Sequence, residues 1–524
     1  MTRKRQSLKI NSISNWTSLL VQVASGFFLT PFVLSRLGKS GYGIWMLVGS
    51  FVGYYGLLNL GVESAITRYI ARFSSQKDTK SLNETANTAL AMLCTTGAFV
   101  ILLSLFIADP LSQFFQIAPE QLEEFKRIIL VLGVATGLSF PCGVFSAMIT
   151  AREHFIARNI VNIFATLIRT GLTVVILLSG YGLAGIAYPT LVSTVISIIA
   201  FFVIAKSSIP EFKIQISNAR LTTLKMLLIY GSYTTIIVAA DFLRLYVDNL
   251  VIGKMIGIAE VGIYAVATPL IRHMFNLIVS GMAVLGPRFA SLDGADKRDE
   301  LRNTFLRALS VSSFLTCGIS LLVLLFGQSF IFFWVGEEFA AAVPVLRILV
   351  VAYAFDLFQH PGIGLMYALN KHRYYAAATM AEGIANVLLS ILLASRCGII
   401  GVAIGTAIPM IFVKLFIQPV YVSRIIGIHL KEYTKVASPP FVVSIVILCV
   451  HACVIHFAHI DVTKTKSFLI LTIGATIIGT IYCILTCIGS QNIRRLVLSF
   501  MPREAFLKIF SFVGMVIIKC QKLI

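Results

Sequence analysis

Long apolar stretches separated by short polar segments recur along the whole chain. An α-helix needs about 20 apolar residues to cross the hydrocarbon core of a bilayer, and fourteen stretches reach that length. The predicted spans are residues 13–35, 42–62, 87–108, 128–150, 156–178, 182–205, 226–250, 261–286, 304–327, 343–368, 374–395, 398–421, 439–458 and 467–489. The segments between them are too short for a soluble domain, so the pattern predicts an all-α polytopic membrane protein.

Composition agrees with this pattern but raises a question about charge. Hydrophobic residues make up 57% of the chain and charged residues 13%, whereas soluble domains contain about 25% charged residues. The balance excludes a soluble enzyme, a disordered scaffold and a secreted disulfide module. The formal net charge is nevertheless +20, as expected for a protein that binds nucleic acid or for a membrane protein with basic cytoplasmic loops.

The positions of the cations decide between these two explanations. Thirty of the 43 Lys and Arg residues fall in loops or in the first turn of a span on the side of the N-terminus, eight fall in the opposite loops, and five lie deeper inside predicted spans. The positive-inside rule therefore predicts that both termini are cytoplasmic. The net charge reflects topology, and no nucleic-acid partner is needed to explain it.

The two halves of the chain share an internal repeat. Residues 38–45 match residues 257–264 at an offset of 219, and residues 182–190 match residues 398–406 at an offset of 216. The second pair reads G-x-x-G-x-A-x-x-T in both copies, and small residues in such a pattern let membrane helices approach closely.

The repeat predicts how the chain divides. Six helices per repeat is an even number, so the halves insert with the same orientation, as in transporters whose cavity lies between two lobes. We predict an N-terminal six-helix lobe (1–207), a cytoplasmic linker (208–224), a C-terminal six-helix lobe (225–424), and an extra helix pair with a basic cytoplasmic tail (425–524). Residues 506–518 are apolar but too short to span comfortably, which leaves an interfacial position open.

Cofactor motifs are absent from the sequence. The nine cysteines have no spacing typical of a metal or redox site, and no G-x-x-x-x-G-K-[ST] nucleotide-binding loop is present. We therefore expect no cofactor, no metal and no direct use of ATP.

Several motifs resemble a known family. They lie at residues 28–38, 41–45, 60–62 and 68–71. Together with the two lobes they resemble the polysaccharide flippases, the O-antigen, capsule and exopolysaccharide members of the multidrug/oligosaccharidyl-lipid/polysaccharide exporter superfamily. The signature of the peptidoglycan-precursor branch is not apparent.

The resemblance covers essentially the whole chain and carries functional implications. It implies transfer of an undecaprenyl-diphosphate-linked oligosaccharide between the leaflets of the cytoplasmic (inner) membrane during polysaccharide or lipopolysaccharide synthesis. It implies a transporter and not an enzyme. The implied partners are the lipid-linked substrate, the bilayer and other polysaccharide-assembly membrane proteins.

Ionisable residues inside the spans are the candidate functional residues. Each costs about 2.5–3.5 kcal/mol at the bilayer centre, so such residues usually face a cavity or a partner. Arginine is suited to a diphosphate because its donors match phosphate oxygens in pairs. The substrate-binding candidates are Arg169, Arg244, Arg272, Lys414 and the polar Asn162. The ion-coupling candidates are Asp241, Asp248, Asp356, His360 and Glu382.

Helical spacing groups some of these candidates. Asp241, Arg244 and Asp248 are spaced i, i+3 and i+7 in the seventh predicted helix, which predicts one stripe. Such a stripe can bind a diphosphate and a proton, or it can be a self-neutralised triad that holds the helix in the bundle. In the fifth helix, polar residues at 162, 166, 169 and 173 also form a stripe, for which we favour a cavity lining.

Two further pairs leave both interpretations open. Asp356 and His360 are i, i+4 and precede Pro361 in the tenth helix, which fits a proton-responsive pair or a kinked helix with a capped histidine. Glu382 and Asn386 are i, i+4 in the eleventh helix, which fits a coupling site or a packing contact.

Two other functions compete with the flippase. A cation-coupled multidrug exporter of the multidrug and toxin extrusion type shares the two-lobe plan, but it typically has twelve helices and a mainly acidic cavity. A polysaccharide polymerase or membrane glycosyltransferase usually needs a large outer loop, and the longest one here, residues 109–127, has little room.

Overall fold

The computed structural model describes residues 8–282, 285–458 and 468–500. Within these ranges the chain is helical and contains no β-strand. Ten helical segments are long and apolar enough to span a membrane, and two of them, Ser14–Gln76 and Arg373–Ile426, each contain two predicted spans. The prediction of an all-α polytopic membrane protein is confirmed. Residues 506–518, for which an interfacial position was considered, lie outside the described residues.

Nineteen α-helices follow one another in the described ranges. They are α1 (Leu8–Tyr54), α2 (Val62–Gln76), α3 (Thr79–Phe114), α4 (Leu122–Ala151), α5 (Phe155–Leu178), α6 (Gly182–Gly185), α7 (Tyr188–Ser208), α8 (Leu221–Leu245), α9 (Val247–Met255), α10 (Ile258–Met282), α11 (Leu285–Gly294), α12 (Arg298–Trp334), α13 (Ala342–Leu357), α14 (His360–Ala368), α15 (Arg373–Phe412), α16 (Gln418–Ile426), α17 (Leu430–Ala458), α18 (Phe468–Gly489) and α19 (Gln491–Phe500). A π-helical turn, Val413–Ile417, joins α15 to α16.

Glycines with positive φ separate spans that follow each other without a loop. Helix α1 is broken at Gly38 (φ 66°), between the predicted spans 13–35 and 42–62. Helix α15 is broken at Gly398 (φ 58°), where the predicted span 374–395 gives way to the next. Glycine adopts positive φ at little cost because it has no Cβ, so each of these turns depends on it.

A positive φ angle recurs at glycines that the repeat makes equivalent. Gly182 and Gly398, 216 residues apart, have φ values of 60° and 58°. Gly38 and Gly257, at the offset of 219, also both have positive φ. The repeat seen in the sequence is therefore expressed in the backbone.

A pair of repeat-equivalent glycines forms a helix crossing. A Cβ on Gly43 would lie far closer than 3.0 Å to the carbonyl oxygen of Ile258, and one on Gly262 would overlap the carbonyl oxygen of Lys39 in the same way. Those Cβ atoms would also lie 3.2 Å and 3.3 Å from the backbone nitrogen of the other glycine. Each contact is the image of the other under the 219-residue repeat, so the crossing is reciprocal.

The described chain falls into two compact units. The first contains residues 1–265 and 390–402, and the second contains residues 266–389 and 403–524. In the first, α4 packs against α3 and α7 while α1 packs against α5. In the second, α12 packs against α13, α17 and α18. The predicted lobe boundaries at 207, 224 and 424 remain a prediction.

The predicted linker is held against α3 by side-chain amides. Asn83 donates to the carbonyl of Glu211 (3.0 Å) and accepts from the backbone N–H of Lys213 (2.8 Å). Asn87 repeats the arrangement one turn later, donating to the Lys213 carbonyl (2.9 Å) and accepting from the Gln215 N–H (2.7 Å). These amides satisfy backbone groups that an irregular segment otherwise leaves to water, so the linker is docked over this part of its length.

Candidate functional site

The polar stripe of α5 separates into buried hydroxyls and an accessible cation. Thr166 and Thr173 are buried, and each donates to the carbonyl four residues earlier, at Asn162 and Arg169 (2.8 Å in both cases). Asn162 is half-buried, whereas the Arg169 side chain is exposed. The threonines are thus satisfied by their own helix, and Arg169 is the member of the stripe whose side chain is exposed.

A second accessible cation lies in α10. Arg272 is exposed near the middle of this helix, and its neighbour His273 is half-buried. A guanidinium inside an apolar span is stable where water or an anion reaches it. The Arg169 and Arg272 side chains are both left uncovered by the units to which they belong.

The predicted stripe of the seventh span does not lie on one continuous helix. Helix α8 ends at Leu245 and α9 begins at Val247, so Asp248 follows a break at Tyr246. The helix placement of Asp241 and Arg244 is described, but their side chains lie outside the described part of the structure.

The Asp248 carboxylate accepts a hydrogen bond from an uncharged donor inside the first unit. It is 7% exposed and accepts a hydrogen bond from the Tyr264 hydroxyl at 2.5 Å. Next to it, the amide of the buried Asn249 donates to Ser50 at 2.8 Å. These bonds tie α9 to α10 and α1, which gives Asp248 a structural role besides any part in ion coupling.

Three of the predicted site residues come together in the second unit. The Lys414 ammonium lies 3.1 Å from Asp356 Oδ1 and 3.7 Å from Glu382 Oε2. The three side chains are 0%, 2% and 3% exposed, and the Tyr375 ring centroid lies 4.9 Å from the ammonium. We call Asp356, Glu382 and Lys414 the Lys414 cluster. Lys414, expected among the substrate-binding cations, is enclosed by two carboxylates.

Local backbone structure explains why Lys414 has this position. In the π-helical turn Val413–Ile417 the Gln418 N–H bonds to the Val413 carbonyl, and the corresponding donor for the Lys414 carbonyl would be Pro419, which has no N–H. The Gln359 side-chain amide donates to that carbonyl instead.

Gln359 itself is fixed by further bonds. It is fully buried, its side-chain oxygen accepts from the Tyr433 hydroxyl at 3.0 Å, and its carbonyl accepts from the Gln418 amide at 3.3 Å. Sequence reasoning missed Gln359, Tyr375 and Tyr433. The one available signal was the proline that follows Lys414 at i+5.

His360 and Asn386 each lie four residues after a member of the Lys414 cluster, after Asp356 and Glu382 respectively. Helix α13 ends at Leu357 and α14 starts at His360, so the kink expected before Pro361 is present and separates Asp356 from His360. The His360 ring packs edge-on to Phe275, with 6.4 Å between centroids. Asn386 accepts a hydrogen bond from Thr406 at 3.0 Å, and both are buried.

A cavity of about 430 Å³ adjoins the cluster. Its walls are formed by α14, α15, the π-helical turn and α16, and they include Tyr374, Tyr375, Val413, Gln418 and Arg424. Tyr375 lines the cavity and also faces the Lys414 ammonium. Among the described residues, no group of three or more His, Cys, Asp or Glu side chains could hold a metal ion.

Two bacterial proteins have similar sequences over most of their length. The membrane protein EpsK of Bacillus subtilis is 24% identical over 441 residues, which covers 81% of this chain and 85% of EpsK. A Shigella flexneri protein named as an O-antigen transporter is 21% identical over 415 residues, covering 78% of this chain and 97% of that protein.

Solved structures with the same fold are transporters. The lipid II flippase MurJ in an inward closed conformation matches with a TM-score of 0.70 and 15% identity, covering 91% of this chain and 98% of MurJ. An inward-facing multidrug resistance transporter of the MATE family matches with a TM-score of 0.66 and 16% identity, covering 79% and 96%. At these identities the likeness concerns the fold.

The family comparison covers more than half of the chain. The family described as polysaccharide biosynthesis protein matches residues 33–344, which include the motifs at 41–45, 60–62 and 68–71 on which the sequence resemblance was based. That resemblance is confirmed. The chain belongs to the polysaccharide biosynthesis protein family.

Proposed function

We propose that this protein flips an undecaprenyl-diphosphate-linked oligosaccharide from the inner to the outer leaflet of the cytoplasmic (inner) membrane by alternating access. Family membership and the relative named as an O-antigen transporter support a lipid-linked substrate. The single observation that carries the proposal is the accessibility of Arg169 and Arg272 within apolar helices. In this topology both termini are cytoplasmic.

The substrate's chemistry fits these residues. A diphosphate is a multiply charged anion, and each guanidinium offers paired N–H donors to phosphate oxygens. In the first unit Arg169 would contact the head group, with Asn162 as a further polar contact, while the polyprenyl tail stays in lipid; Arg272 and Arg244 remain separate candidates for binding the substrate. Transport makes and breaks only non-covalent contacts, so the protein acts as a transporter without enzymatic chemistry.

The alternative is a cation-coupled multidrug exporter, and the match to a MATE-family structure at 16% identity shows only that the two chains share a fold. An exporter of cationic drugs needs accessible acids. In the described side chains the buried acids Asp248, Asp356 and Glu382 are engaged by Tyr264 or Lys414, whereas the accessible intramembrane charges are cationic. This arrangement favours an anionic substrate.

Deletion and complementation test the proposal. Deleting the protein should cause lipid-linked oligosaccharide to accumulate on the cytoplasmic face and should remove surface polymer. Wild-type protein should restore display, and the Arg169→Gln/Arg272→Gln double variant should not, although it reaches the membrane in normal amounts. Arg347→Gln is the matched control, since Arg347 is exposed and bonds to Gln328 at 3.1 Å.

Two outcomes would contradict the proposal. Normal polymer display by the double variant would show that these cations do not bind the substrate. Intracellular accumulation of a cationic drug in the deletion strain, with surface polymer unchanged, would favour the exporter.

A further inference from the structure

Helix α1 carries exposed side chains on two opposite faces. The apolar side chains of Trp16, Leu20 and Phe28 are exposed. The amides of Asn15 and Gln22 are exposed as well. At about 100° of rotation per residue, the amides lie on the side of the helix opposite to the apolar residues. The apolar face suits the lipid, whereas an amide is costly in hydrocarbon, so the second face has the polarity of a surface that contacts water.

Helix α5 has the same two faces. Phe164 and Leu167 are exposed apolar residues on one side of this helix. The exposed Arg169 and the half-buried Asn162 lie on the opposite side. A lipid-facing surface and a polar surface therefore lie back to back on α5, as they do on α1.

A hydrogen-bonded contact fixes the register of the two helices. Helices α1 and α5 pack against each other, and the Asn159 amide donates to Ser14 (3.0 Å) and to Asn15 (2.6 Å) near their starts. The first and fifth spans of the chain run in the same direction across the membrane. In the register that these bonds set, Arg169 lies about 4 Å farther along the pair than Gln22.

Buried hydroxyls mark the line along which the helices touch. Ser18 and Thr166 are buried, and they precede Gln22 and Arg169 by one turn on their own helices. Rotation from these hydroxyls turns the Gln22 amide and the Arg169 guanidinium toward the same side of the helix pair, and it turns the exposed apolar residues toward the other side. The two helices thus form one polar surface with an apolar surface behind it.

We infer that this surface, which we call the α1–α5 amide face (Asn15, Gln22, Asn162 and Arg169), binds the sugar part of the substrate. The inference rests on the proposed function. An amide group both donates and accepts hydrogen bonds, as sugar hydroxyls do. Residues 14–28 and 159–178 contain no Asp or Glu, so these segments offer no carboxylate to a cationic ligand.

The order of residues along the helices separates two parts of the ligand. Asn162 precedes Arg169 by two turns, or about 10 Å, so both amides lie nearer than Arg169 to the side that the charge distribution predicts to be cytoplasmic. With a diphosphate at Arg169, the sugars would extend toward that side over Gln22 and then Asn162. Arg169 would bind any polyprenyl diphosphate, and the amides would add affinity only for one that carries sugar.

Binding of two lipids to the purified full-length protein in detergent tests this division. One probe is the lipid-linked oligosaccharide extracted from membranes of the host, and the other is undecaprenyl diphosphate, which has no sugar. Gln22→Met and Asn162→Leu remove hydrogen-bonding groups with little change of shape. Each should weaken binding of the first probe about fivefold and leave binding of the second unchanged, whereas Arg169→Gln should weaken both.

The apolar faces of the same helices supply matched controls. Leu20→Met introduces the same residue as Gln22→Met, and Phe164→Leu introduces the same residue as Asn162→Leu; neither control should change the affinity for either probe. Retained binding of undecaprenyl diphosphate shows that a variant is folded. Unchanged affinity of both amide variants for the lipid-linked oligosaccharide overturns the sugar site, and so does an equal loss of affinity for the two probes.

Labelling with a water-soluble maleimide tests which face contacts water. In membrane vesicles Gln22→Cys should be labelled, and the lipid-linked oligosaccharide should protect it, whereas Leu20→Cys should stay unlabelled. Mass spectrometry of the peptides separates these positions from the native cysteines. Equal labelling at the two positions, or labelling of Leu20→Cys alone, overturns the assignment of the amide face to an aqueous surface.

The sugar site and the proposed function can fail separately. If proteoliposomes flip both probes but wild type binds the lipid-linked oligosaccharide no more tightly than undecaprenyl diphosphate, the flippase stands and the sugar site is overturned. If Gln22→Met selectively weakens binding of the lipid-linked oligosaccharide but wild type does not flip it, the sugar site stands and the flippase assignment is overturned.

Discussion

The Gly43–Gly262 crossing and the Lys414 cluster are both buried helix contacts, but the repeat accounts for only one of them. Gly43 and Gly262 are equivalent at the offset of 219, and each contacts the backbone beside the other. At the offset of 216, the positions equivalent to Lys414 and Glu382 are Ile198 and Thr166. The repeat therefore reproduces backbone packing, while the buried charges belong to one half alone.

This difference separates structure from function. A contact between glycine backbones needs the same small residue in both halves, and a substrate or coupling ion needs charge at one place only. The accessible cations follow the same rule, because Arg169 and Arg272 correspond to Ala385 and Gly53 in the other half. Positions where the halves differ in charge are thus the places to look for function.

The largest expected effect is that of Lys414→Ala. Removing the ammonium leaves two buried carboxylates without their counter-ion, which should destabilise the fold by about 3–5 kcal/mol at neutral pH. Thermal unfolding in detergent at neutral pH measures it, with the exposed Lys431→Ala as control; equal melting temperatures for the two variants would contradict the ion-pair assignment.

The reciprocal crossing predicts matched effects for two distant substitutions. Gly43→Ala and Gly262→Ala each put a Cβ against a backbone carbonyl and should cost about 1–3 kcal/mol. The double variant should cost less than the sum, because the first substitution already separates the helices. Gly49→Ala is the control, since a Cβ there meets nothing within 4 Å. A large cost for one glycine alone would break the symmetry argument.

A smaller effect is expected for a hydrogen bond between uncharged side chains that has no counterpart under the repeat. Ser50 and Asn249 correspond to Pro269 and Thr30 in the other half, and their hydrogen bond is 2.8 Å long. Ser50→Ala should cost about 1 kcal/mol, measured as a shift in melting temperature. Ser35→Ala, which removes a hydroxyl bonded within its own helix, should shift it less; a reversed order would show that the buried bond adds nothing.

The smallest effect on stability is expected for Arg169→Gln. The side chain is exposed, so the free energy of unfolding should change by no more than about 0.5 kcal/mol, while binding of a diphosphate lipid should weaken. A binding titration with the lipid measures the loss of affinity, and a melting curve on the same sample measures the change in stability. A strongly lowered melting temperature would place Arg169 in a structural contact instead.

Much of the architecture was predictable because apolar length and glycine position are local properties. The spans around Gly38 and Gly398 were separable in sequence, and the structure breaks its helices at those residues. The break at Tyr246 was not foreseen, since no proline or glycine marks it, and it moves Asp248 onto α9. Spacing arguments hold only while a helix is continuous.

The sequence by itself determined the helical membrane class, the repeat and the set of charged residues inside the spans, because these depend on residue type and periodicity. Only the tertiary structure decided which of those charges meet. Asp356, Glu382 and Lys414 lie on three separate elements, and their contact depends on the rotation of each helix and on the π-helical turn before Pro419. The same rotations leave Arg169 and Arg272 accessible, because helix packing, and not local sequence, sets which side of a span is covered.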